Sequence, residues 1–338
     1  MLTEYSKPSK DVARHTAMLI EQNGVLLARQ SKITAVLREG RRRSQCIVCE
    51  SLLADSSAFE HRGIPYCICS ACGHVQCALE APAQYPYQEQ NFSEIYPPLD
   101  VTAYADRTSR IYVPKLDWAL RAANAAGLGD LRTRRWVELG CGSGNFLSAL
   151  RTSGTAHVGG LEVEPALVEQ SRAMLGAGVV NGFKGSLADA VRQNPADIYV
   201  AWFVLEHCFE TAKFLDALRE QKPGTVFLFS VPTFGLAALL EGAFGTHYAR
   251  SLDSVLHLQL FSDRSIRHAM TRAGYEIKAE WLFGQDADDL YRALITRLGS
   301  VESLRSELER LAGSLSEIQQ SVDRARLSDS RHILAVRS

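Results

Sequence analysis

Val137-Glu138-Leu139-Gly140-Cys141-Gly142-Ser143-Gly144-Asn145-Phe146 is the stretch on which the fold turns. It enters as a buried strand, Arg135-Trp136-Val137-Glu138-Leu139, and breaks into glycines at every second position. It leaves in a helical pattern, Phe146-Leu147-Ser148-Ala149-Leu150. Strand, glycine turn and helix in succession make a nucleotide-binding crevice. The glycines let the backbone approach a ligand closely, and the helix amino end offers N–H groups with no partner in the helix. The last glycine follows its predecessor by two residues, so the spacing is not that of a G-x-G-x-x-G phosphate loop.

Working outward, β/α alternation begins at Lys115, with a helix over Leu116–Ala126 ended by Gly127 and Gly129. Strands are expected near 135–140, 157–163, 179–184, 197–204, 225–231, 275–283 and 332–337, most of them separated by helical segments. That pattern predicts an α/β fold with a seven-stranded doubly wound sheet, its last strand antiparallel. Ligands in such sheets bind beyond the carboxyl ends of the strands, which directs attention to the residues found there. Glu162 closes the second strand, 20 residues after Gly142, where a carboxylate can accept both hydroxyls of a ribose. The fourth strand runs through Trp202-Phe203-Val204 into Leu205-Glu206-His207.

The Glu-x-Gly-x-Gly-x-Gly form, Glu162 and the Leu-Glu-His turn occur in order. Together they resemble the motifs of class I S-adenosylmethionine (SAM) methyltransferases over roughly residues 115–283 plus the final strand. The resemblance implies SAM as cofactor, held by Glu138, Gly140, Cys141, Gly142, Gly144, Phe146, Glu162 and Val163. Many relatives carry an acidic residue after the third strand to contact the adenine. Here Ser186 and Leu187 stand there, so backbone groups around them are expected to take the base, with Phe203 flanking it. His207 sits where the acceptor must meet the methyl group.

Cys46-Ile47-Val48-Cys49 and Cys69-Ser70-Ala71-Cys72 form two Cys-x-x-Cys pairs, with a short hairpin expected between them at Phe59, Ile64, Pro65 and Tyr66. Four thiolates in two such knuckles complete a closed tetrahedral zinc site, a structural rather than a catalytic one. Cys67 competes with Cys69, but only Cys69 has the right spacing to Cys72; His74 and Cys77 read as bystanders. The predicted organisation is N-terminal helices at 1–45, the zinc-binding module at 46–80 and a Pro/Tyr-rich connector at 81–114. The methyltransferase-like core follows at 115–285, then a coiled-coil helix at 286–328 and the last strand at 329–338. Within that helix Val301, Leu304, Leu308, Leu311, Leu315, Ile318 and Val322 make an a/d seam, which Leu294 and Ala325 extend. The seam over 294–325 is expected to pair with a second copy, giving a homodimer, or with the amino-terminal helices of its own chain.

Composition narrows the possibilities. The 338 residues carry a net charge of −1, so no overall field recruits nucleic acid. The apolar run Thr225–Gly245 is interrupted by Ser230, Pro232, Thr233 and Glu241 and is too polar for a membrane span. No signal-peptide pattern opens the chain, and eight cysteines used as thiols suit a cytoplasmic protein.

A cysteine-rich module before such a core looks like the sugar methyltransferases of polysaccharide and antibiotic-sugar pathways. In the sugar C-methyltransferases a His-Glu-His run precedes a Phe-Ser helix start. Here His257-Leu258-Gln259 precedes Phe261-Ser262, so only the first histidine matches, and those enzymes' extra carboxyl-terminal domain is missing. The expectation is therefore transfer to a sugar hydroxyl of a nucleotide sugar or glycan. The candidate base is His207, then His257, then His247, with Glu206 orienting a histidine. Carbon methylation is one alternative. An RNA methyltransferase whose zinc module grips RNA is a second, and a non-catalytic SAM-binding assembly protein a third. Near-neutral charge weighs against RNA; intact glycines and Glu162 weigh against loss of catalysis.

Overall fold

The computed structural model describes residues 1–7, 21, 23–82, 99–244, 252 and 257–338. The chain opens with strand β1 (Leu2–Tyr5) and helix α1 (Asn23–Leu37). Strands β2 (Ser57–His61), β3 (Ile64–Ile68) and β4 (Val75–Cys77) follow. Arg62 and Gly63 both have positive φ (51° and 74°), the turn that matches the twist of a two-residue hairpin. This is the hairpin expected between the cysteine pairs.

Helices α2 (Val101–Arg107) and α3 (Val113–Ala125) are joined by a π-helical turn at Thr108–Tyr112. The glycine stretch then folds as read: strand β5 (Arg135–Leu139), loop, helix α4 (Asn145–Thr152). Beyond it come β6 (His157–Glu162), α5 (Pro165–Leu175), β7 (Val180–Gly182), α6 (Leu187–Gln193) and β8 (Ile198–Trp202). The chain continues with α7 (Thr211–Arg219), β9 (Val226–Pro232), α8 (Leu236–Phe244), β10 (Gln259–Leu260) and α9 (Asp263–Ala273). It ends with β11 (Tyr275–Phe283), α10 (Asp286–Leu298), α11 (Arg305–Arg324) and β12 (Ser330–Arg337).

The main sheet has the order β1-β11-β12-β9-β8-β5-β6-β7. Only β12 runs against the rest, paired antiparallel to both β11 and β9. Every residue of β8 and β9 is buried, as expected for parallel strands covered on both faces. Tyr199, Phe214, Phe227 and Phe229 fill one side of the sheet; Trp118, Trp136, Phe146 and Trp202 fill the other.

Eight strands replace the expected seven. The eighth is β1, in the region read as helical, where Leu2 to Tyr5 pair in parallel with Ala279 to Leu282. Four residues are too few to show a strand period. The conformation comes from the free edge of β11, reinforced by Trp281 Nε1 donating to the Ser6 carbonyl at 2.9 Å and by Arg121 bound to Glu4.

The continuous helix expected over 286–328 is broken. Gly299 ends α10, a short 3-10 turn covers Glu302–Leu304, and α11 packs back along α10. Leu294 and the main seam therefore lie on two helices of an intramolecular hairpin. Leu308 and Val322 are buried, while Leu311, Leu315 and Ile318 are half-buried.

The second sheet, β10-β4-β3-β2, joins the cysteine module to a strand nearly 200 positions later. Ile33 and Leu37 of α1, Tyr66 and Val75 of the module, and Ala238 and Leu260 of the later chain share one core. The module is a wall of the molecule rather than an appendage.

Candidate active site

Three glycines shape the loop after β5. Gly140 has φ +64°, and a Cβ there would lie 2.9 Å from Val204 Cγ2. Gly144 has φ +79° and forms the N-cap of α4, where a Cβ would lie 2.6 Å from Leu175 Cδ1. Gly142 has φ +55° but nothing within 4 Å of a built Cβ. A Cβ at the first or third glycine would thus press on a neighbouring side chain, in addition to the strain of positive φ, whereas the middle one faces space left open by the described residues, where a ligand can sit against the backbone.

The Glu162 carboxylate ties this loop to the end of β6. Its Oε2 accepts from Gly142 N–H at 2.7 Å, and its Oε1 accepts from Val163 N–H at 2.8 Å and Glu164 N–H at 3.0 Å. Burial pushes its pKa up, opposed by these backbone bonds. Val163 is 63% exposed at the mouth of the crevice. Glu138, 3% exposed, has an Oε2 with no hydrogen-bond partner among the described residues. Burial raises its pKa well above the usual carboxylate range, while the charge of Lys115 opposes the rise. Lys115 is itself buried, and burial lowers it to about 8. Its ammonium lies 4.8 Å from the centre of the Tyr112 ring, 5.3 Å from Trp202 and 5.6 Å from Phe203. A lysine on the first turn of an apolar helix was the available signal for this residue, and sequence reasoning passed over it.

Phe203 holds φ +56° at the end of β8, a costly conformation for an aromatic residue and one that clusters at functional sites. Cys141 is buried. Phe146 is fully buried between Trp136 and Trp202, at 6.1 and 5.2 Å, so its side chain seats α4 and only its backbone borders the crevice. Asn145, also missed, anchors the π-helical turn: its Nδ2 donates to Thr108 Oγ1 at 2.9 Å and to the Tyr104 carbonyl at 3.3 Å. Ser186 caps α6 in a capping box with Asp189, which commits its hydroxyl. Leu187 is half-buried beside it.

A second pole follows Phe203 directly. Glu206 and His207 lie on the turn Leu205–His207, and the His257 ring stands 5.3 Å from that of His207, tilted by 36°. Glu206 is 2% exposed, its Oε2 has no hydrogen-bond partner among the described residues, and burial pushes its pKa up to about 8. Gln259 fixes this pole. Its Nε2 donates to the carbonyls of Leu205 and Cys208, both at 2.8 Å. Its Oε1 accepts from His74 Nε2 at 2.9 Å. Burial lowers His74 to about 3, so it stays neutral. His74 is thus a link between the cysteine module and the histidine turn. His247 lies outside the described residues.

The four cysteines converge. Cys46 and Cys72 sulfurs are 3.6 Å apart, as are those of Cys49 and Cys69, and all four lie within 4.8 Å of one another. A tetrahedral zinc with sulfurs at 2.3 Å has edges of about 3.8 Å, so the donor set fits that ion. Cys67 stands outside the cluster, and burial pushes its thiol up to about 11. The cluster is fastened to the main core. Ala212 N–H donates to the Ile47 carbonyl at 2.9 Å, and Arg272 reaches Val48, Glu50 and Asp216.

A separate concavity lined by Arg135, His157, Gly159, Gly178, Asn181 and Asn194 opens at the amino ends of β5 and β6. That is the wrong edge of a parallel sheet for a ligand, and its lining includes neither the glycine loop, Glu138, Glu162 nor the histidine turn.

The family model described as a methyltransferase domain matches residues 109–280. Among solved structures, magnesium protoporphyrin IX methyltransferase from Synechocystis PCC 6803 with bound SAH is 15% identical; the match covers 74% of this chain and 94% of that one at a TM-score of 0.45. A SAM-dependent methyltransferase from Archaeoglobus fulgidus is 16% identical, covering 70% and 100%, at 0.41. A SAM-dependent methyltransferase from Mesorhizobium loti is also 16% identical, covering 66% and 100%, at 0.40. No curated protein matches the sequence.

Proposed function

The chain belongs to the methyltransferase domain family, and from that premise we propose that it methylates a sugar hydroxyl, on a nucleotide sugar or a glycan. It is a class I SAM-dependent enzyme. SAM supplies an electrophilic methyl carbon on a positive sulfonium; the acceptor oxygen displaces the sulfur in line, and the electron pair of the broken bond stays on sulfur.

The residues of this chain bind and align. Gly142 gives the cofactor a bare backbone to lie against, and Glu162 keeps lone pairs on Oε2 for the ribose hydroxyls. The unpartnered Oε2 of Glu138 suits the ammonium of the methionine tail. Phe203 flanks the base, which rests on the backbone at Ser186 and Leu187. His207 takes the proton of the acceptor hydroxyl, with His257 beside it. The observation that carries this reading is the His207–His257 pair, ring centres 5.3 Å apart, with His207 on the turn that follows Phe203 and His257 brought to it from before β10. The four thiolates of Cys46, Cys49, Cys69 and Cys72 hold a zinc ion. With no coordination position left open, it serves structure, and a reducing compartment such as the cytoplasm suits it. The cysteine-rich module ahead of the core, with His257 before Phe261-Ser262, supports a sugar acceptor.

The test is calorimetric titration with SAM, followed by label transfer from SAM to a panel of nucleotide sugars. Absence of SAM binding sinks the enzyme reading; SAM binding with no sugar labelled sinks the acceptor class.

A further inference from the structure

Among the described residues, one further donor set stands apart from the cofactor crevice and the four thiols. Glu206, His207 and His257 each place one ligating atom within 4.8 Å of the other two. The carboxylate is nearly all buried, 2% exposed, and its Oε2 has no hydrogen-bond partner among the described residues. A buried carboxylate oxygen left so is costly, and a cation at the centre of the cluster would satisfy it. The frame is rigid, because Gln259 bonds both ends of the turn that carries Glu206 and His207 and sits two residues from His257.

We infer that Glu206, His207 and His257 form a binding site for one divalent first-row transition cation, with its remaining coordination positions facing the acceptor. Two imidazoles and one carboxylate suit Mn2+, Fe2+, Co2+ or Zn2+ better than Mg2+ or Ca2+. Three protein ligands leave room for substrate oxygens, unlike the closed thiolate set. The role of the ion rests on the methyl-transfer reading, and its binding does not. A vicinal pair of acceptor hydroxyls occupies the open positions. The ion lowers the pKa of the hydroxyl to be methylated, whose proton passes to solvent, and that oxygen then takes the methyl group. In this arrangement His207 is a ligand that acts on the acceptor through the ion, and the ion replaces it as the group that activates the hydroxyl.

The test uses the full-length, zinc-loaded protein and Mn2+ alone, read by electron paramagnetic resonance without SAM or acceptor. The expected result is one Mn2+ per chain. Glu206→Gln and His257→Ala should each weaken it by at least the roughly 10- to 100-fold seen for lesser changes around metal sites, while SAH binding by calorimetry is retained. His257 is half-buried, so its variant tests the site even where Glu206→Gln fails to fold. Absence of Mn2+ binding in the wild type, or equal binding by the folded variants, overturns the site. Mn2+ binding in a protein that binds neither SAM nor SAH would instead overturn the methyl-transfer reading and leave the cation site standing.

Discussion

Gly142 combines positive φ with an empty surround, and that combination separates it from its neighbours. Gly142→Ala should cost stability only about 1–2 kcal/mol, the price of a left-handed alanine. It should weaken SAM much more, because the methyl group occupies ligand space; thermal melts with and without SAM measure the two effects. Gly140→Ala should lower stability further, since its Cβ meets Val204. At the other pole, His207→Ala should lower turnover by about 10²–10⁴-fold with SAM affinity unchanged; unaltered turnover removes His207 from the chemistry. The residues named from spacing, Gly140 to Gly144 and Glu162, stand together in the structure. Asn145 and Gln259 carry no local signal, and Lys115 only its place on the first turn of a helix. Their importance comes from burial beside groups distant in sequence.

The cysteine module shows what an element can and cannot announce. Its Cys-x-x-Cys spacing was enough to select Cys46, Cys49, Cys69 and Cys72 and to set Cys67 aside. What spacing left open is where the module goes: β4 pairs with β10, and His74 reaches Gln259. Metal loss should therefore loosen the histidine turn as well as the module. Cys69→Ser should abolish bound zinc, measured by elemental analysis, and destabilise the fold by on the order of 4 kcal/mol or more, as loss of a structural metal does. Cys67→Ser should keep its zinc. The helical hairpin α10–α11 teaches a related lesson. A heptad pattern records that a face wants cover but not which face supplies it: after Gly299, α11 packs back along α10, with Leu308 and Val322 buried and Leu311, Leu315 and Ile318 half-buried.

Across the whole molecule, buried carboxylates couple distant elements. Asp286, at the start of α10, accepts from Ala237 N–H at 2.9 Å, Asp329 N–H at 3.0 Å and Gln319 Nε2 at 3.1 Å. It thereby joins α8, α11 and the residue that leads into β12. Burial, and then the charge of Asp329, push its pKa from 3.8 up to about 8. The folded state thus holds a proton that the unfolded chain releases near pH 3.8. The stabilisation is complete below the unfolded pKa and is lost as pH rises through the folded one, levelling above about pH 8. Denaturant melts from about pH 5 to about pH 9.5 should show this loss. Asp329→Asn, which removes the repelling charge, should make the loss smaller; an unchanged slope would falsify the coupling.

The sequence by itself determined the parallel α/β core, the glycine loop with its acidic partner, and the four-cysteine set, because each depends on neighbours a few residues away or on a repeating strand–helix period. Only the tertiary structure decided the eighth strand, the fold-back of the α10–α11 hairpin and the wall that the cysteine module builds against β10. It also decided the meeting of His257 with Glu206 and His207. Each of these is a pairing between segments whose local sequence is satisfied in several ways, and the choice among them is made by burial and hydrogen bonding that exist only once the sheet has closed. The opening glycine stretch therefore marks the crevice beyond the strand ends, whereas Glu206, His207 and His257 are brought together by packing.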